Sequence, residues 1–137
     1  MSHEIHLKVR FCEVDTYQVA WHGHYVAWFE VGRNELASRF GLDPMQLKEI
    51  GLMAPVIELA CKFKLPARFD DEIVIQTTMQ RSETATLIFH YTVMRDTQTL
   101  AEGSTTHVLT DLKGTMLYKV PSVVQERLEE MLAYLEV

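Results

Sequence analysis

Ile5, Leu7, Val9 and Phe11 alternate with Glu4, His6, Lys8 and Arg10. A period of two puts the apolar set on one face, which predicts a half-buried strand over Glu4 to Phe11. From about His24 the period lengthens. Tyr25, Phe29, Gly32, Leu36 and Phe40 are spaced by three and four, and Trp28 widens their stripe. This predicts a long amphipathic helix ending near Phe40. Glu35 and Arg39 form an i,i+4 pair on its polar side, and Gly41 is placed to end it as a C-cap. Asp43 as N-cap, with Pro44 at the first helical position, predicts a short extra helix through Glu49.

After Gly51 the period of two returns. Ile57, Leu59, Cys61, Phe63 and Leu65 oppose Glu58, Ala60, Lys62 and Lys64, and Pro66 stops or bulges the strand. Further strands are predicted over Glu72 to Gln80, Ala85 to Arg95 and roughly Leu100 to Asp111. Polar turns over Arg81 to Thr84 and Asp96 to Gln98 separate them. Lys113-Gly114 opens another turn, and Met116 to Tyr118 suits a short strand. Pro121 leads into a terminal helix over Ser122 to Leu135, with Ser122 as its cap. Strands and helices do not alternate, so a doubly wound parallel sheet is excluded. The expected class is α+β: an antiparallel sheet wrapped around one long central helix.

The chain has 137 residues, which fits one domain over 1–137. A hydrophobic fraction of 47% and a charged fraction of 23% are those of an ordinary soluble globular protein. The formal net charge of −6 argues against a nucleic-acid partner, which needs a basic face. A few local Lys and Arg residues could still hold an anionic ligand. Cys12 and Cys61 form no C-x-x-C pair and no disulfide framework, so both read as free thiols in a reducing compartment. The first ten residues hold no apolar h-region, and no run approaches the ~20 apolar residues of a membrane span. A cytoplasmic location without a membrane span is the expectation.

The candidate chemistry lies between the first strand and the long helix. Asp15, His22 and His24 fall within ten residues, just before a helix N-terminus. Free backbone N–H groups and a positive dipole end suit a developing oxyanion there. A nearby carboxylate can act as base or nucleophile. An Asp before a helix is also commonly a cap, so residue type alone does not choose. Cys12 adjoins this segment and reads either as a nucleophile or as strand-end packing. His22-Gly23-His24 would need a further ligand to hold a metal. Glu30 reads as a site neighbour or as the ion-pair partner of Arg33. Trp21, Trp28 and Phe29 could line an acyl pocket or pack against the sheet. His3, His6, His90 and His107 read as surface or satisfied core residues. Lys62, Lys64 and Arg68 could meet the phosphates of coenzyme A or form a solvated face.

Three blocks carry a family resemblance: Val9-Arg10-Phe11-Cys12-Glu13-Val14-Asp15; Val19-Ala20-Trp21-His22-Gly23-His24-Tyr25; and Phe29-Glu30 with Arg33-Asn34-Glu35. Together they resemble the signature of the hotdog-fold thioesterases, nearest the 4-hydroxybenzoyl-CoA thioesterase-like group and its acyl-CoA thioesterase branch. In that signature an Asp is followed seven residues on by His or Tyr, then by an Asn-Tyr pair opening the helix. Leu65-Pro66-Ala67-Arg68-Phe69-Asp70-Asp71-Glu72 resembles the family's Pro-Ala-x-x-x-Asp turn. The resemblance implies a hotdog fold and hydrolysis of acyl-CoA, or an acyl carrier protein thioester, to acid and thiol. Asp15 falls on the catalytic Asp, as general base or nucleophile. His22 falls where the backbone N–H polarises the carbonyl, and Tyr25 on the helix Tyr. Trp21, Tyr25, Lys62, Lys64 and Arg68 are the candidate substrate contacts. No metal or redox cofactor is implied. A homodimer with sites at the subunit interface, or a homotetramer of such dimers, is. His24 replaces the usual Asn, Tyr17-Gln18 a small Gly-containing pair, and Phe11 a Tyr of some members. Two rivals are a non-catalytic acyl-CoA-binding module, disfavoured by the retention of Asp15 and His22, and a hotdog hydratase, disfavoured by the seven-residue spacing.

Overall fold

A computed structural model describes all of residues 1–137. The elements run β1 (His3–Lys8), α1 (His22–Ser38), α2 (Pro44–Glu49), β2 (Leu52–Met53), β3 (Val56–Phe63), β4 (Glu72–Gln80), β5 (Thr86–Arg95), β6 (Gln98–Val108), β7 (Thr110–Asp111) and α3 (Ser122–Tyr134). Five strands form one antiparallel sheet in the order β1-β4-β5-β6-β3, and β2 pairs with β7 apart from it. The alternation seen along the chain becomes the sheet's two faces. Ile73, Ile75, Thr77 and Met79 of β4, with Leu87, Phe89, Tyr91 and Val93 of β5, point inward and are buried. Tyr25, Trp28, Phe29, Leu36 and Ala37 of α1 meet that face, and Val124, Leu128, Met131 and Leu132 of α3 join the same core. No helix is long and apolar enough to cross a membrane.

Several boundaries differ from the expected ones. β1 ends at Lys8, because Val9 turns away to exchange hydrogen bonds with the 70–71 loop and Phe11–Glu13 forms a 3₁₀ turn. Phe11 is therefore exposed rather than on the buried face. α1 starts two residues early, at His22, and Arg39 is its C-cap; Gly41, with φ +73°, follows two residues later. Asp43 does cap α2, its carboxylate accepting the Gln46 N–H at 2.8 Å. Pro121, not Ser122, is the N-cap of α3, and Ser122 is the first helical residue. Met116 makes only an isolated bridge to Thr110. The largest departure is β3. Its expected core residues Ile57, Leu59 and Phe63 are exposed, and so is Leu65 beyond it. β3 is an edge strand, so the sheet and helices of one chain leave it uncovered.

Under α1 a polar chain crosses the core. Arg33 Nη1 donates to Tyr91 Oη (3.1 Å), Tyr91 Oη lies 2.6 Å from Thr105 Oγ1, Thr105 Oγ1 2.9 Å from His107 Nε2, and His107 Nδ1 2.9 Å from the Ala54 carbonyl. Arginine only donates and a carbonyl only accepts. Every link is therefore satisfied when Tyr91 donates to Thr105, Thr105 to His107 Nε2, and a neutral His107 donates through Nδ1. Burial lowers the His107 pKa, the Ala54 carbonyl opposes this, and the Arg33 charge adds to the lowering. The unfolded chain binds a proton here near pH 6.5 while the native chain still resists it, so stability falls with pH below that point. We expect urea midpoints to drop between pH 7 and pH 5.5, at most about 1.4 kcal/mol per pH unit from this group, and the His107→Gln slope to be shallower.

Candidate active site

Between β1 and α1 the chain makes a small hairpin closed by a Val14–Ala20 bridge. Gln18 N–H donates to the Asp15 carbonyl at 2.9 Å, and Asp15 N–H to the Val19 carbonyl at 3.0 Å. Gln18 closes the turn at φ +64°, a conformation that favours glycine. The turn presents the half-buried Asp15 carboxylate, whose Oδ1 accepts the Tyr17 N–H at 2.8 Å. Oδ2 has no protein partner.

Two buried anchors set the direction in which α1 leaves this hairpin. Trp21 N–H donates to the Glu13 carbonyl (2.8 Å), and the Trp28 indole N–H donates to Glu13 Oε2 (2.9 Å). Glu13 also accepts the Arg10 N–H at 2.8 Å. Burial raises the Glu13 pKa, but the hydrogen bonds from Arg10 and Trp28 outweigh it and hold the carboxyl below its usual value. Glu13 is thus a fixed anion inside the fold, not a second catalytic candidate at the surface. The second anchor is Ala67, which is fully buried. Its carbonyl accepts the Ala20 N–H at 2.7 Å and its N–H donates to Tyr25 Oη at 3.1 Å. The two sequence motifs, more than forty residues apart, therefore meet through backbone groups. Tyr25→Phe would strand the Ala67 N–H, costing about 1–3 kcal/mol; denaturant titration of the folded variant checks this.

Trp21 is the N-cap of α1 without a side-chain cap, and the His22 and Gly23 N–H groups have no acceptor in the chain. These are free helix-end donors. Asp15, Trp21, His22, Tyr25 and Lys64 line one open depression of about 480 Å³, with Phe63, Leu65 and Pro66 on its far side. Tyr25 and His22 both face Phe63 edge-on, and Trp21 packs on His22 and His24. The structure thus brings five of the seven expected residues together. Arg68 lines a neighbouring hollow on the other flank of Asp15, with Phe11 and Phe69. Lys62 lines neither and lies opposite Glu102, with which Lys64 is paired at 3.2 Å. Cys12 is exposed in the 3₁₀ turn, outside the depression. Glu30 pairs with Arg33 at 2.5 Å, so the ion-pair reading of Glu30 holds. Trp28 and Phe29 are core residues. Arg33 and Ala67 stand in the quoted motifs, but nothing in the sequence marks the buried hydrogen bonds that each makes.

An antiparallel sheet wrapped on one long helix, with a carboxylate and free amides near that helix's start, defines a hotdog-fold protein. The family model described as the thioesterase superfamily matches residues 17–102, and the chain belongs to that superfamily of enzymes. The acyl-CoA thioesterase YbgC of Haemophilus influenzae is 26% identical over 107 residues, spanning 77% of this chain and 79% of its own length. The crystal structure of a hypothetical protein from Thermus thermophilus superposes with a TM-score of 0.84 at 30% identity, covering 93% of this chain and 98% of that one. A 1,4-dihydroxy-2-naphthoyl-CoA thioesterase from Synechocystis shares the fold, with a TM-score of 0.83 at 16% identity over 95% of this chain and 97% of that one.

Proposed function

We propose that the chain acts as one cytoplasmic domain that hydrolyses acyl-CoA, or an acyl carrier protein thioester, to a free acid and a thiol. The observation that carries this is the shared depression: an Asp15 carboxylate with a free oxygen beside unpaired N–H groups at the start of α1. The thioester carbonyl oxygen would accept the His22 N–H. Charge growing on that oxygen in the tetrahedral intermediate is stabilised by the donor and by the helix dipole. Asp15 would take a proton from water as it adds to the carbonyl carbon, or attack that carbon itself to give a short-lived anhydride. Collapse of the tetrahedral intermediate breaks the C–S bond and expels the thiolate, which takes up a proton; on the anhydride route water then cleaves the acyl–Asp15 bond, releasing the acid and restoring the carboxylate. The His22 imidazole, at the rim, would position water or pass a proton.

Trp21 and Tyr25 would form the wall against the acyl group. Lys64 and Arg68, on opposite flanks of Asp15, would with Lys62 attract the coenzyme A phosphates. The assembly is a homodimer, alone or paired into a homotetramer, in which β3 continues the sheet into a second copy. The exposed Val56, Ile57, Leu59 and Phe63 on that edge favour this, since an uncovered apolar edge strand invites pairing. The test is a screen of acyl-CoA esters with thiol release as readout, on protein sized by light scattering. Turnover by a dimer or tetramer is expected. A monodisperse monomer, or no turnover across chain lengths, would overturn the reading.

A further inference from the structure

Glu13 lies outside the depression at Asp15, yet its buried carboxylate joins two parts of the fold that meet there. Oε1 accepts the Arg10 N–H at 2.8 Å, just after β1, and Oε2 accepts the Trp28 indole N–H at 2.9 Å, from α1. The Arg10 guanidinium closes over both oxygens, with Nε 3.3 Å from Oε1 and Nη2 3.5 Å from Oε2. A buried charge is a poor source of stability, because leaving water costs about what its bonds return. What such a group supplies is direction: two oxygens, each aimed at a donor on a different element.

The hairpin that presents Asp15 has two strands, and each is fixed to the fold near its base. The returning strand is held at Ala20, whose N–H donates to the Ala67 carbonyl. The outgoing strand is held at Glu13, and Asp15 stands two residues beyond it, about 7 Å along an extended chain. The free helix-start N–H groups belong instead to α1, which is seated in the core by the fully buried Phe29 and Leu36. Trp28 is part of that seated body, with its ring buried against Tyr25. The Glu13–Trp28 bond therefore ties the strand that carries the carboxylate to the helix that carries the donors.

We infer that Glu13 is a positioning residue: its carboxylate sets the separation between the Asp15 carboxylate and the His22 N–H, and through it the rate of the chemical step. This deepens the thioesterase reading and rests on it. A carboxylate is required because both oxygens must accept. Glutamine has one accepting oxygen and an NH2 group that donates. Whichever way that amide turns, either the Arg10 N–H or the Trp28 N–H meets another donor, and the bridge opens. A misplacement of about 1 Å between reacting groups costs about 10²-fold in rate.

The test compares Glu13→Gln, Trp28→Phe and the double variant by steady-state kinetics, well below each unfolding temperature. The substrate is the acyl-CoA ester that the wild type turns over fastest. Trp28→Phe keeps an aromatic ring against Tyr25 and removes the indole N–H. Each single change should lower kcat by about ten- to a hundredfold, with KM changed by less than about threefold. The double variant should be at most about threefold slower than the slower single, because both changes open one bridge. A purely structural Glu13 would lower the unfolding temperature and leave kcat of the folded protein where it was. Losses under about tenfold, losses carried by KM rather than kcat, or losses that multiply in the double variant overturn the inference. If one single variant does not fold, kcat and KM of the other decide alone. Wild-type protein with no turnover would fail the thioesterase reading instead. Crystal structures of the wild type and Trp28→Phe then decide the positioning: a change of about 0.5 Å or more in the separation of Asp15 Oδ2 from the His22 nitrogen supports it, and a smaller one overturns it.

Discussion

Asp15→Asn is expected to lower kcat by about 10²–10⁴-fold, the typical worth of a general base, and by at least as much if Asp15 is the nucleophile. The amide keeps the size of the side chain, and its oxygen can still accept the Tyr17 N–H that Oδ1 accepts now. The hairpin should therefore fold as before, with KM little changed. What disappears is the negative charge on the free oxygen facing the depression. His22→Ala should cost less, because the proposed oxyanion donor is a backbone N–H that the substitution leaves in place. The check is steady-state kinetics on variants whose thermal unfolding matches the wild type. If folded Asp15→Asn keeps more than about a tenth of wild-type kcat, a barrier change under about 1.4 kcal/mol, Asp15 is not the catalytic carboxylate. Glu13 and Glu30 are the next carboxylates along this part of the chain. Glu13 is locked to Arg10 and Trp28, and Glu30 to Arg33. Neither would be a ready substitute.

The sequence carried the fold where side-chain period and burial coincide. β4 and β5 read as alternating strands because one face of each meets α1 and the other does not. α2 read correctly because its cap is local: Asp43 and Gln46 satisfy each other within one turn. The reading broke down where a partner distant in the chain decides. β3 alternates as well as β4 does, yet lies at an edge, and periodicity cannot tell an edge from a centre. The helix start was placed two residues late because no Ser, Thr, Asp or Asn marks it; the Glu13 carbonyl and Ala67 hold that corner instead. Asp15, Trp21, His22 and Tyr25 were legible as a group because they lie within eleven residues. The convergence of Lys64 and Pro66 on them was legible only through resemblance. Arg33 reads as an ion-pair partner of Glu30 on the helix, but its buried bond is to Tyr91, which lies fifty-eight positions away.

Gly103→Ala should have the largest effect on stability. Gly103 lies on β6, opposite Tyr91 of β5 and Cys61 of β3. Phe29 of α1 packs directly on its bare backbone. An added Cβ would stand 2.6 Å from Phe29 Cζ and 2.8 Å from the Ala60 carbonyl oxygen, well inside contact distance. Neither neighbour can yield. Ala60 is held in the β3–β6 ladder, and Phe29 is fully buried and stacked on Tyr91 with ring centres 4.6 Å apart and planes 9° from parallel. Tyr91 in turn is fixed by Arg33 and Thr105. A shift of Phe29 would thus disturb α1, β5 and the buried polar chain together. Overpacking of a closed core costs typically 1–3 kcal/mol and occasionally more; we expect about 3 kcal/mol here, a large share of the 5–15 kcal/mol that holds a domain folded. The measurement is the urea midpoint of Gly103→Ala against the wild type. Trimming the opposing ring provides the internal control. Phe29→Leu alone opens a void and should destabilise, but with Gly103→Ala it relieves the clash, so the double variant should be more stable than the sum of the single changes predicts by about 1 kcal/mol or more. Strict additivity would mean that the two side chains do not meet, and that the helix is not seated on β6 through Phe29.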